Sequence, residues 1–171
     1  RRETHGELHP SLSVAVSNLA YVLNAAGDLE GAEARLLEVL EMQRRLYDDE
    51  SPAVATALSN VAYIYHVQGK YDAAEAMYKE LIALRRSLLG ERHPELAALQ
   101  SNLAFLYYEK GNIGEAMALG REVLDMRREV LGEQHPEVAQ SLDAIALWSM
   151  EVGEFAAAES LVREAVEIKI G

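Results

Sequence analysis

The sequence predicts an all-α protein, a stack of antiparallel helix hairpins that repeats every 42 residues. The four prolines of the chain, Pro10, Pro52, Pro94 and Pro136, each fall 42 residues after the last. Gly27, Gly69, Gly111 and Gly153 keep the same spacing, as do the alanine series Ala20, Ala62, Ala104, Ala146 and Ala32, Ala74, Ala116, Ala158. Between these markers the apolar residues recur on a helical beat, and a fixed period of this length is the signature of stacked supersecondary units. Repeats are therefore expected over 9–50, 51–92, 93–134 and 135–171, with 1–8 as the end of a preceding unit.

Each class of marker has a mechanical part. Proline suits the first position of a helix, where its missing N–H needs no partner and its φ is already helical. Ser51 is a conventional N-cap for the helix opening at Pro52, whereas His9, His93 and His135 at the same place are weaker evidence for a side-chain cap. A first helix follows, as over 53–67, with Leu58, Val61, Ala62 and Tyr65 on one apolar stripe. Gly69 ends it, since glycine reaches the left-handed conformation that helix C-caps use. Two or three residues later a second helix starts, near Asp72, and runs to Leu88 or Leu89. So short a link turns it back against the first, and alanines at 62 and 74 let the two approach closely.

The joints between units read Leu89-Gly90-Glu91-Arg92-His93-Pro94 and Leu131-Gly132-Glu133-Gln134-His135-Pro136. The earlier one, Tyr47-Asp48-Asp49-Glu50-Ser51-Pro52, lacks the glycine and is expected to be built differently. Arg1 to Leu8 align with Arg85 to Arg92, and the fourth unit stops about five residues before its own joint is complete. With no obviously polar capping helix at either end, the chain reads as part of a longer array.

Composition removes several function classes. The 171 residues are half apolar, enough for one ordinary domain with a sizeable core. Absence of cysteine removes disulfides and thiolate chemistry, and fits a reducing, cytoplasmic setting without demanding one, since many exported proteins also lack cysteine. No apolar run approaches the roughly 20 residues a bilayer-spanning helix needs. A formal charge of -12 argues against nucleic acid or an anionic membrane surface as a partner.

The run Ala57-Leu58-Ser59-Asn60-Val61-Ala62-Tyr63-Ile64-Tyr65, followed by Gly69-Lys70-Tyr71, Ala74-Glu75 and Tyr78, resembles the tetratricopeptide repeat. The longer second helix and the Leu-Gly-Glu-x-His-Pro joint are similar to the 42-residue form found in kinesin light chains. The resemblance covers the whole chain and implies a right-handed superhelical solenoid whose first helices line a concave groove. It also implies a role in gripping a peptide or protein segment.

In proteins of this type the residue two before the small alanine commonly faces the groove, and here it is Asn18, Asn60 and Asn102, then Ala144. These amides either hold a ligand's backbone or hydrogen-bond a neighbouring helix. One turn on, Tyr21, Tyr63 and Phe105 share their face, followed by Leu147, while Leu23, Tyr65 and Tyr107 point to the hairpin interior and Ser149 breaks that series. Asn24, His66, Tyr108 and Met150 extend the groove surface. The first-helix stretches 10–25, 52–67, 94–108 and 136–151 contain no Lys or Arg. Where relatives that grip a terminal carboxylate carry a lysine, this chain has Ala25, Val67, Glu109 and Glu151. A neutral or basic ligand with apolar anchors is expected, and an acidic one disfavoured.

The arginines gather instead on the second helices, as Arg44-Arg45, Arg85-Arg86 and Arg127-Arg128, echoed by Arg1-Arg2, and most are expected to be solvated or paired. Catalysis finds little support. His9, His93 and His135 belong to different layers, His5 lies near the start, and His66 lacks a neighbouring acid or nucleophile. No glycine-rich phosphate loop, metal set or cofactor motif is present. The competing reading is structural, with the chain acting as a scaffold or spacer that self-associates end to end through its end faces.

Overall fold

The computed structural model describes residues 10–170, and among them it contains eight helices and no strand. They are α1 (Pro10–Ala25), α2 (Leu29–Leu46), α3 (Pro52–Val67), α4 (Tyr71–Leu89), α5 (Pro94–Glu109), α6 (Ile113–Leu131), α7 (Pro136–Glu151) and α8 (Phe155–Ile170). The expectations placed on Arg1-Arg2, His5, His9 and the 1–8 segment lie outside the described residues.

Helix starts follow the proline register. Ser51 Oγ accepts the backbone N–H of Val54 at 3.2 Å. The histidines cap as well: Nδ1 of His93 accepts from the Glu95 N–H, and Nδ1 of His135 from that of Glu137, each at 3.2 Å. An imidazole nitrogen is bulkier and set further from the backbone than a serine hydroxyl, and here it reaches the second helical N–H rather than the third. The first helices end as expected. Gly69 has φ +71°, its N–H donates to His66 O, and the Lys70 N–H reaches back to Tyr65 O at 2.9 Å, which satisfies carbonyls a helix end leaves open.

The joint without glycine does differ. α4 and α6 run 19 residues each and lead into Gly90 and Gly132 at φ +86° and +90°, but α2 stops after 18 residues, at an extended Tyr47 with φ −132°. Tyrosine carries a Cβ that makes positive φ unfavourable, so the helix terminates one residue earlier.

The chain divides into two compact units, 1–84 and 85–171, with the boundary inside α4. In the first, α2 packs against both α1 and α3. Its core holds Leu36, Val39, Leu40, Val54, Leu58, Val61, Ile64, Tyr78 and Leu81, with Ala20, Ala32, Ala62 and Ala74 also buried. In the second, α6 packs against α5 and α7, and α7 against α8, around Ala104, Ala116, Leu124, Val138, Leu142, Ile145 and Trp148.

One exchange of sizes distinguishes the second core. Trp148 stands 84 residues after Ile64, and Gly120 stands 84 after Leu36. A Cβ on Gly120 would lie 2.6 Å from Trp148 Cζ3, so the indole occupies the room that a side chain at 120 would take. A very small and a very large residue thus replace two of middling size.

The arginine pairs are mostly exposed and paired, as on Arg44 with Glu80, Arg86 with Glu91, and Arg128 with Glu133 and Glu164. Arg127 departs from that pattern. It is 5% exposed, pairs with Glu137 at 3.2 Å, and donates to Ser141 Oγ at 2.7 Å and Glu137 O at 3.1 Å. Burial pushes its guanidinium pKa down and the Glu137 charge opposes that shift. A buried cation persists only with such compensation.

Candidate functional site

In the first unit α1, α2 and α3 line a cleft of about 330 Å³. Asn18 and Tyr21 line it from α1 and Asn60 from α3, joined by Ser13, Ser17, Thr56, and by Val39 and Gln43 of α2. Tyr21 is 55% exposed, and its hydroxyl donates to Asn60 Oδ1 at 3.2 Å. One lone pair of the Asn60 carbonyl is therefore occupied by the neighbouring helix, while the carbonyl's second lone pair and the amide's two N–H groups remain. The hydrogen bond to a neighbouring helix is thus made at this position, with donor and acceptor capacity left over.

No lining residue of this cleft carries a charge. Two of its polar groups escaped the sequence reading. Ser13 is 2% exposed and its Oγ has no hydrogen-bond partner, and Gln43 Oε1 is likewise buried and unpartnered. The signal was a break in register, since Ala55, Ala97 and Ala139 fill the serine's place in the other units and Arg85 and Arg127 the glutamine's.

The remaining candidates are not among the lining of that cleft. Tyr63 is half exposed on α3, and Asn24 is half-buried on α1. His66 is half-buried and packs edge-on against Tyr71 and Tyr78, with centroids 6.2 and 6.4 Å away. In the second unit Asn102 and Phe105 are exposed on α5. Phe105, Tyr108 and Trp148 form a cluster of rings with centroids 5.9–6.0 Å apart. The Tyr108 hydroxyl donates to the Glu151 carboxylate, which raises the tyrosine's pKa chiefly through that hydrogen bond. A negative charge is thereby fixed beside the aromatic surface.

His93 and His135 serve as helix caps, which accounts for them without chemistry. Among the described residues no group of three or more His, Asp or Glu is placed to hold a metal ion. No described helix is long and apolar enough to cross a membrane.

A family model described as Tetratricopeptide repeat matches residues 11–87, 53–129 and 95–170. The chain belongs to the tetratricopeptide repeat family. Such repeats are generally protein-interaction modules, and the fold is typically a non-catalytic scaffold. The chain is similar to BtubC (BKLC) from P. vanneervenii, with 26% identity and a TM-score of 0.82 over 93% of this chain. It spans 63% of the length of that protein's solved chain. It is also similar to a putative kinesin light chain from Podosopora anserina with nearly identical TPR-like repeats, at 25% identity and TM-score 0.84, covering 97% of this chain and 79% of the other. MamA, at 16% identity and TM-score 0.66 over 92% of this chain and 78% of its own, shares the fold alone. No curated protein matches by sequence.

Proposed function

We propose that this chain binds a peptide or protein segment along the face of its first helices, and that the segment is neutral or basic with apolar anchors. The observation that carries the reading is the uncharged cleft between α1 and α3, where Asn18, Tyr21 and Asn60 meet the buried, unpartnered Ser13 hydroxyl. Ligand backbone can satisfy amides of this kind from both its N–H and its C=O. Small apolar side chains find Val14, Val39, Ala53 and Ala57 beside them. Asn24, Tyr63 and His66 in the first unit, and Asn102, Phe105 and Tyr108 in the second, are proposed as further contacts on the first helices, within repeats bounded at 9–50, 51–92, 93–134 and 135–171. Glu151, held by Tyr108, disfavours an acidic ligand beside the second unit's aromatic cluster. A cytoplasmic setting is proposed with this role.

Fluorescence anisotropy with labelled peptides of matched length tests the charge preference. Neutral and basic peptides carrying Leu or Val are expected to bind, and acidic tails to bind more weakly. Tighter binding of acidic tails sinks the reading.

A scaffold role through the end faces is the second reading. Its support is a row of exposed apolar residues on α8, namely Phe155, Val162, Val166 and Ile170, and a similar row of Leu12, Leu19 and Val22 on α1. Concentration-dependent self-association, measured by sedimentation, separates it from the first.

A further inference from the structure

The second unit holds a charged cleft of about 340 Å³ where the end of α4, the α4–α5 joint, α5 and α6 meet. We propose that it binds the guanidinium group of an arginine side chain presented by a partner protein. The first observation is Gln100, which lines the cleft. It stands 42 residues from both Leu58 and Leu142, which are fully buried core residues. Gln100 is 7% exposed, and its Oε1 is buried with no hydrogen-bond partner. An amide oxygen placed where the repeat uses leucine, and left without a donor, calls for one from outside the chain.

The charges decide what kind of donor. Arg44 pairs with Glu80 and Arg128 with Glu164, each across 36 residues. Arg86 and Glu122 stand in the same relation, but Arg86 Nε turns to Glu91 at 3.1 Å, and both Arg86 and Glu122 line the cleft. Arg92 is engaged by Glu129. The two cations of the lining thus have carboxylates of their own. Glu122 and Asp125 remain, with no salt bridge among the described residues, and Asp125 acts on Arg128 only as a minor, longer-range charge.

Two carboxylates and an amide oxygen are acceptors only, and they ask for a cation with several N–H groups. A planar guanidinium supplies five in a fixed fork and binds carboxylate in two-point fashion, whereas an ammonium is a more strongly hydrated point charge. The alkyl arm of such a ligand finds Met126 in the wall. An anion, by contrast, meets two uncompensated carboxylates. This site lies apart from the first-helix cleft and does not depend on what that cleft binds.

Titration of the whole chain with Nα-acetyl-arginine amide, followed by the NMR resonances of the Gln100 side-chain amide, tests the proposal. Saturable binding in the millimolar range is expected, with the isosteric citrulline amide and the lysine amide weaker by about tenfold or more. The capped arginine is expected to bind at least as well as free arginine, as recognition of a side chain within a protein requires. Glu122→Gln/Asp125→Asn should weaken it about tenfold or more. Gln100→Leu, which restores the residue of the neighbouring units, should weaken binding while keeping helicity and raising Tm. No saturable binding, equal binding of citrulline, preference for the free amino acid, insensitivity to these variants, or displacement of the same resonances by inorganic phosphate each overturns the proposal.

Discussion

The hydroxyl of Tyr21 donates to the side-chain carbonyl of Asn60 at 3.2 Å, tying α1 to α3 across 39 residues. The sequence repeats that relation at Tyr63 and Asn102, and at Phe105 and Ala144 both the hydroxyl and the amide are gone together. Loss of both members leaves neither group without its partner, which is the less costly change. A double-mutant cycle of Tyr21→Phe and Asn60→Ala is expected to show coupling of about 0.5 kcal/mol in urea unfolding, small because the pair is exposed. Strict additivity contradicts the bond. Tyr21→Phe alone frees the lone pair of Asn60 that the hydroxyl occupies and should leave or slightly improve peptide binding.

Imidazole caps replace serine at two helix starts. His135→Ala removes the acceptor for the Glu137 N–H and is expected to cost about 1 kcal/mol, while His135→Ser should keep most of the stability. Thermal unfolding of the two variants checks this. Equal loss in both places the histidine's contribution in packing instead.

Gly120 and Trp148 fill one volume between them. Gly120→Ala, with its new Cβ 2.6 Å from the indole, should destabilise by about 1–3 kcal/mol despite alanine's better helix propensity. The pair Gly120→Leu with Trp148→Ile copies the buried Leu36 and Ile64 of the first unit and should recover much of what Gly120→Leu loses alone. Absence of recovery in denaturant unfolding contradicts the shared volume.

Lys70 Nζ donates to Glu33 Oε2 at 2.6 Å, and chiefly through this bond the Glu33 carboxyl is held below its ordinary range, while Lys70 is raised above its own. A depressed carboxyl stabilises the fold above its unfolded pKa and loses that contribution as pH falls through the folded value. A raised ammonium stabilises below its unfolded pKa and loses it as pH rises through the folded one. The pair therefore acts between weak acid and strong alkali. Glu33→Gln should lower Tm modestly between those limits and leave it unchanged once Glu33 is protonated in the wild type, so that the fall in Tm below about pH 5 is flattened.

The fold was legible because the proline, glycine and alanine registers each report a backbone requirement. Pro52 opens a helix, Gly69 closes it at φ +71°, and Ala62 and Ala74 are fully buried. The cleft was legible in part. Asn18, Tyr21 and Asn60 stand out by position and line one cleft. Ser13, Gln43 and Gln100 did not stand out, because a polar residue replacing alanine, arginine or leucine takes its meaning from which neighbours leave it unpartnered. Arg127 was hidden in the same way. Its pair with Arg128 reads as a solvated stripe, and only the approach of Glu137 and Ser141 buries it.

Asn18, Asn60 and Asn102 together carry the claim that the first-helix face is where a partner segment is held. Peptides selected from a random display library against this chain, then titrated by isothermal calorimetry against the Asn18→Ala/Asn60→Ala/Asn102→Ala variant, test it most directly. The selected peptides should be neutral or basic with apolar residues, and the variant, with helicity intact, should bind them about tenfold or more weakly through the lost backbone hydrogen bonds. Acidic consensus peptides, or affinity that the triple variant leaves unchanged, contradict it.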